Sequence, residues 1–220
     1  TTCYHPNNYD GSNVGPITLR NALAQSRNIP AVKVLYLAGI KDSFDTARKL
    51  GITTLLDYKR YGLALVLGGG EVTLLDMASA YGVFANDGVK NEKTPILEIR
   101  DQDRKILEKF ESKSSQVLPP NTARMISSIL SDNVARSPIF GANSPLNVPG
   151  RQVAVKTGTT NDYRDGWIVG YTPSAVVGAW VGNNNNSPMD KRVAGVIVAP
   201  LWNAFIKEYL TDKPVEYFIA

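Results

Sequence analysis

The chain has 220 residues, 43% hydrophobic and 20% charged, which suits a packed core and excludes disorder as the main state. A net charge of +4, carried by basic residues scattered singly, leaves no footprint for nucleic acid. One cysteine, Cys3, and one histidine, His5, exclude an internal disulfide, a CxxC or His-rich metal centre, and a Ser-His-Asp triad built on any other histidine. No metal and no cofactor is expected.

The chain opens on Thr-Thr-Cys-Tyr-His-Pro, with neither an initiator Met nor a basic-then-apolar leader, and reads as a piece of something longer. No apolar run reaches the ~18 residues that span a bilayer. Asn7 to Pro16 is loop punctuation. Thr18 then caps a short helix with Leu19, Ala22, Leu23 and Ser26 on one face. Asn28-Ile29-Pro30 breaks it, and Pro30 suits the first turn of a second helix that runs to about Ala38 and stops at Gly39. Asp42 to Leu50 reads as a third helix, closed by Gly51. Gly68-Gly69-Gly70 is an elbow; with no Lys-Ser/Thr after it, it is no phosphate loop.

Thr73 and Asp76 resemble a capping box, and Leu74, Leu75, Ala78, Tyr81, Gly82 and Ala85 give a helical stripe ending at Asn86-Asp87-Gly88. Ile96 to Arg100 and Lys105 to Phe110 read as a solvent-facing hairpin. Pro119-Pro120 opens a helix from Thr122 to Val134, with Met125, Ile126, Ile129 and Leu130 inward. Gln152 to Lys156, Gly166 to Tyr171 and Ala175 to Val181 then read as strands, the last two joined by a tight turn at Pro173. Val176 to Val181 is apolar on both alternating faces, so helices should cover the sheet on both sides. The end, Val193 to Leu210, carries Val193, Ile197, Leu201 and Phe205 at helical spacing, with a kink expected at Pro200. Helices, then an antiparallel sheet, then a closing helix make an α+β chain without repeat or linker.

Two short stretches carry chemistry. In Lys156-Thr157-Gly158-Thr159 a strand delivers a cation, two hydroxyls and a residue without Cβ, a set suited to an anionic substrate. Gly158 lets another backbone lie close, and the strand's free backbone groups can pair with an extended peptide. In Ser26-Arg27-Asn28, a non-helical connector would point Ser26 and Asn28 into one cleft. There a hydroxyl can relay a proton and an amide can hold a carbonyl. Taken alone, each stretch is equally an ordinary strand end or helix end.

Together they match two of the three motifs of the penicillin-binding proteins and serine β-lactamases: Ser-x-x-Lys, Ser-x-Asn and Lys-Thr-Gly. Asn8-Tyr9-Asp10-Gly11, Gly15 to Leu23 and Ser26 to Val32 resemble the transpeptidase domain of class A penicillin-binding proteins. So do Glu71-Val72-Thr73 through Gly88, Lys156 to Asp165, and Val181-Gly182-Asn183. The matches run in the family's order from about residue 8 to about residue 206. Ser131-Asp132-Asn133 is a literal Ser-Asp-Asn, but Asn133 stands only 23 positions before Lys156, too close for the family's spacing, whereas Ser26 stands 130 before it. Ser131 is therefore set aside, at the exit of the Thr122 helix.

No serine in the chain has lysine three positions on, so the nucleophile motif is absent. The resemblance places it upstream, together with two sheet strands and a central helix, and makes residues 1–220 a partial penicillin-binding, β-lactamase-like domain that is inactive alone. It implies a peptidoglycan D,D-transpeptidase on the extracytoplasmic face of a bacterial membrane, anchored by a segment outside this chain. D-Ala-D-Ala stem peptides and β-lactams would be its ligands. The upstream part of the protein, or another chain, would cover the missing core.

In the implied mechanism Ser26 relays a proton to the leaving nitrogen and Asn28 holds the substrate amide. Lys156 supplies positive potential and hydrogen-bonds Ser26. Thr157 and Thr159 hydroxyls bind the terminal carboxylate, and the Thr159 N–H gives half of an oxyanion hole. A D,D-carboxypeptidase or β-lactamase, and a non-catalytic penicillin-binding module, are the alternatives. Arg164 and Asp165 read as a turn ion pair, Trp167, Tyr171 and Trp180 as core aromatics, and Met77 and Met125 as core filler.

Overall fold

A computed structural model describes residues 4–189 and 194–219; Cys3 and Val193 fall outside that range. The first helices form where the cap residues place them. Thr18 accepts a hydrogen bond from the Asn21 amide and opens α1, Leu19–Ala24. The next helix, α2, Asn28–Ala38, starts two residues earlier than Pro30 predicts and ends at Gly39. Helix α3, Ile40–Leu50, stops at Gly51, whose φ of 104° suits glycine alone. Thr73 accepts from the Asp76 amide to open α4, Leu74–Ala85. The box is not reciprocal, because the Asp76 carboxylate turns away to the Thr53 amide at 2.9 Å, the Thr53 hydroxyl at 2.6 Å, and the Lys93 ammonium. Leu75, expected inward on α4, is 64% exposed.

After α4 comes a small exposed antiparallel excursion. Strand β1, Val89–Asn91, pairs with β4, Ser114–Gln116, and between them β2, Glu98–Arg100, pairs with β3, Ile106–Lys109. The inner hairpin matches the sequence expectation. The β1–β4 pair does not appear in it, because three-residue polar strands carry no readable alternation.

The helix expected from Thr122 to Val134 is two helices. Helix α5, Pro120–Leu130, ends at Ser131, and α6, Asn133–Phe140, begins where the Asp132 side chain caps the Ala135 amide at 2.8 Å. A polar Ser-Asp-Asn offers the backbone a cap, and the chain takes it. Ala123, Ser127 and Leu130 face inward, while Met125, expected as filler, is 60% exposed.

The main sheet has three antiparallel strands in the order β5–β6–β7: Ala154–Thr159, Asp165–Tyr171 and Val176–Gly182. Helices cover both faces. On one, Val155, Ile168 and Val177 pack against α7, Ala194–Ile197, and α8, Ala199–Leu210. On the other, Ala154 and Tyr171 meet Leu23 of α1, Tyr81 and Phe84 of α4, and Ile126 and Leu130 of α5.

The closing helix is out of the expected phase by one residue. Ala194, Val198, Trp202, Ile206 and Leu210 are buried, while Leu201 and Phe205 face solvent. Trp202 sets the phase: its indole lies over Gly170, where a Cβ would come within 2.1 Å of the ring, and its Nε1 donates to the Val177 carbonyl. The interruption expected near Pro200 falls at Val198, between α7 and α8. Pro200 itself sits in the first turn of α8, where its missing N–H costs nothing.

Candidate active site

Ser26 occupies a Schellman turn at the end of α1. Its amide donates to the Leu23 carbonyl at 3.1 Å, and the Arg27 amide reaches back to the Ala22 carbonyl at 2.9 Å. The residue between those bonds must be left-handed, and Ser26 has φ of 56°. Glycine is the ordinary occupant there; a side chain costs roughly 1–2 kcal/mol. From this turn the Ser26 hydroxyl meets Lys156 of the sheet.

Lys156 comes from the other wall. Alternation along β5 puts Lys156 on the same face as Ala154, the face that meets α1 and α5. Its ammonium donates to Ser26 Oγ at 2.6 Å and to the carbonyl of Thr157 at 2.7 Å. Residues 130 apart in the chain are thus joined by one hydrogen bond. Among the described residues no carboxylate forms an ion pair with Lys156. Burial without a counter-charge pushes the ammonium down to about 8, so it keeps its charge at neutral pH but gives up its proton readily.

The remaining sequence candidates are placed less simply. The non-helical connector is two residues long, a left-handed Ser26 and an extended Arg27, and Asn28 is already the first residue of α2. Its Nδ2 donates to the Asn7 carbonyl at 2.9 Å. Thr157 and Thr159 alternate to the sheet face opposite Lys156, and Thr159 Oγ1 accepts from the Ala194 amide at 3.0 Å. Gly158 faces its cross-strand partner Trp167, where a Cβ would stand 3.3 Å from the tryptophan Cβ. The close neighbour is therefore a side chain and not another backbone.

Ser131 belongs elsewhere. It caps α5, and its hydroxyl meets the Ser128 carbonyl at 3.4 Å, while Asn133 Nδ2 closes on the Ala142 carbonyl at 2.9 Å.

Arg164 and Asp165 do not pair with each other. Asp165 accepts from the Thr160 hydroxyl at 2.8 Å and from Trp180 Nε1 at 2.9 Å, pinning the turn that leaves β5, while Arg164 donates to the Asn186 carbonyl. Trp180 and Trp167 face each other across β6 and β7 outside the buried core; Tyr171 alone of the three is core. Tyr9 meets Tyr163 edge-on at 6.0 Å, so the amino-terminal loop reaches the Lys-Thr-Gly side of the cleft. The sequence marks that loop as punctuation and as part of the family resemblance, but assigns it no role in the site. Asn-Tyr-Asp-Gly, adjacent in the chain to the Ser26 helix, was the available signal.

The sequence matches the penicillin binding protein transpeptidase domain over residues 2–206. The chain belongs to that family. It is 36% identical over 218 residues to penicillin-binding protein 1A of Aquifex aeolicus (strain VF5), covering 97% of this chain and 28% of that protein. To penicillin-binding protein 1A of Neisseria lactamica it is 30% identical, covering 95% and 26% respectively. The chain thus spans little more than a quarter of these relatives' length. Among solved structures, penicillin-binding protein 1A from Haemophilus influenzae superposes with a TM-score of 0.84 at 25% identity, over 100% of this chain and 38% of that one. PonA1 from Mycobacterium tuberculosis, solved in complex with penicillin V, gives 0.84 at 23% identity over 97% and 61%, a likeness of fold. The three-stranded sheet with helices on both faces is therefore the penicillin-binding transpeptidase fold. Among the described residues, no helix is long and apolar enough to cross a membrane.

Proposed function

We propose that these residues form the Ser-x-Asn and Lys-Thr-Gly part of a peptidoglycan D,D-transpeptidase domain that acts through a serine acyl-enzyme. The carrying observation is the 2.6 Å bond from Lys156 Nζ to Ser26 Oγ, which gives two separate motifs one shared function. The nucleophile belongs to a Ser-x-x-Lys segment outside residues 1–220, since no serine in this sequence has that spacing. Lys156 holds the terminal carboxylate of a D-Ala-D-Ala stem peptide by charge. Ser26, bonded to Lys156, passes a proton to the leaving amine when the serine acylates. The Thr157 and Thr159 hydroxyls, expected from the sequence as further carboxylate ligands, lie on the sheet face opposite Lys156, where Thr159 accepts from the Ala194 amide, so the carboxylate is assigned to Lys156 alone. Asn28 offers Oδ1 to the substrate amide's N–H, its Nδ2 being engaged by Asn7.

The edge position of β5 supports a stem peptide added as a further strand, with the Thr159 N–H supplying half of the oxyanion hole. β-Lactams mimic the same peptide and occupy the same cleft. The complete protein works on the extracytoplasmic face of the bacterial membrane, where its substrate is.

Fluorescent penicillin tests this reading. The complete protein takes a covalent label, Lys156→Ala in it cuts labelling about 10²-fold, and the 220-residue chain alone takes none. An unlabelled complete protein would instead favour a non-catalytic binding module.

A further inference from the structure

Ser26 is held in its strained turn by its two sequence neighbours, and both are buried polar residues tied to distant parts of the chain. Gln25 donates from Nε2 to the Ala135 carbonyl of α6 at 3.2 Å and accepts from Arg27 Nε at 3.5 Å. Arg27, 7% exposed, donates from Nη1 to Asp10 Oδ2 at 2.8 Å and to Ser12 Oγ at 3.0 Å. Asp10 is itself fixed, accepting from the Ser12 hydroxyl at 2.7 Å and the Ser12 amide at 3.0 Å. The same short loop grips the residues beyond Arg27: the Asn7 carbonyl accepts from Asn28 Nδ2 and Asn8 Oδ1 from the Ile29 amide.

We infer that Arg27, through its ion pair with Asp10, is a positioning residue that holds the Ser26 hydroxyl against Lys156. A left-handed serine has cheaper conformations available to it, and a turn that carries strain persists only where its surroundings over-determine it. Arg27 meets that requirement. Its backbone amide closes the Schellman turn and its guanidinium anchors the turn to the 7–12 loop. Its partner Asp10 is held well down, to about 2, by the Ser12 hydrogen bonds first and by Arg27 after them, so the pair stays ionised across the working pH range. The inference rests on the acyl-transfer reading, in which a displacement of about 1 Å at a proton-relaying group can cost up to ~10²-fold in rate.

Acylation of the complete protein by fluorescent penicillin, measured as a rate constant, tests it. Arg27 is buried and its removal endangers folding, so Asp10→Asn, at a side chain 41% exposed, is the first substitution. Asp10→Asn is expected to slow acylation about 10-fold while the melting temperature moves by no more than about 2 °C. In a Ser26→Ala background the same substitution should change the rate by less than about 2-fold, because its effect passes through the missing hydroxyl. Arg27→Lys, which keeps a cation within reach of Asp10, should recover most of the rate lost in Arg27→Ala. Equal slowing with and without the Ser26 hydroxyl would mean a general structural role and overturn the inference. A protein slowed by Ser26→Ala but indifferent to Asp10→Asn overturns the brace alone; one that takes no label in any form overturns the acyl-transfer reading and the brace with it.

Discussion

Ser26 and Lys156 each occupy a place that costs the fold something. For Ser26 the cost is a left-handed backbone with a side chain on it. Replacing Ser26 by Gly and by Ala removes the hydroxyl in both, but only glycine relieves the turn. Ser26→Gly should therefore be more stable than Ser26→Ala by about 1 kcal/mol, or roughly 2–4 °C in thermal melts of a chain this size. Equal melting temperatures would mean the turn is not strained.

For Lys156 the cost is a cation held without a counter-charge. Its proton leaves at about 8 in the folded chain and near 10.5 when exposed, so the folded state binds fewer protons between those values. Stability contributed by this group therefore rises with pH through that window and is at its least below pH 8. Lys156→Met should be more stable than the parent at pH 7, on the order of 1 kcal/mol, and the advantage should fade by pH 10.5 in urea titrations. Both residues were legible from their motifs. Arg27 was not, because its importance lies in what it touches and not in its spacing.

At the scale of elements, the helices opened by the Thr18 and Thr73 caps were legible locally, while the start of α6 was missed although Asp132 caps it just as locally, because the expected Thr122 helix ran on through Ser131 to Val134. The closing helix was misphased because a tertiary contact decides it. The series 197, 201, 205 and the series 198, 202, 206 are both apolar at helical spacing, and only the Trp202 ring over Gly170 selects the second. Gly170→Ala should accordingly be severe for so small a change. A methyl group 2.1 Å from the indole forces α8 off the sheet, costing about 3 kcal/mol or more in denaturant titrations.

The start of α4 is fixed by Asp76. Burial raises its pKa, but hydrogen bonds from Lys93 and Thr53 outweigh that and hold it at about 2. Its folded value lies below the unfolded value of 3.8, so the stabilisation is complete above pH 4 and is lost as pH falls toward 2. Asp76→Asn should cost about 2 kcal/mol at pH 7 and flatten the acid limb of the stability profile.

Across the whole molecule, the α+β order and the helix cover on both sheet faces follow from apolar strands that no single helix layer could bury. The carboxyl-terminal segment beyond α8 was not legible, because its hold is almost entirely long-range. Arg151 donates to the carbonyls of Leu210, Lys213 and Pro214, and the Phe218 ring meets Tyr171 at 5.5 Å. Phe218→Ala should lower stability by about 2 kcal/mol, seen as a fall of roughly 4–8 °C in melting temperature. That aromatic contact backs the same sheet face from which Lys156 reaches Ser26, so the site depends on packing far from it.

In the proposed reaction Ser26, bonded to Lys156, handles the proton when a stem peptide loses its terminal D-Ala. The most direct test is D-Ala release from a stem pentapeptide by the complete protein, compared with its Ser26→Ala variant at equal folded concentration. Release is expected to be about 10²-fold slower or more in the variant, in line with removing a positioned proton-transfer group. Undiminished release would contradict that role for Ser26.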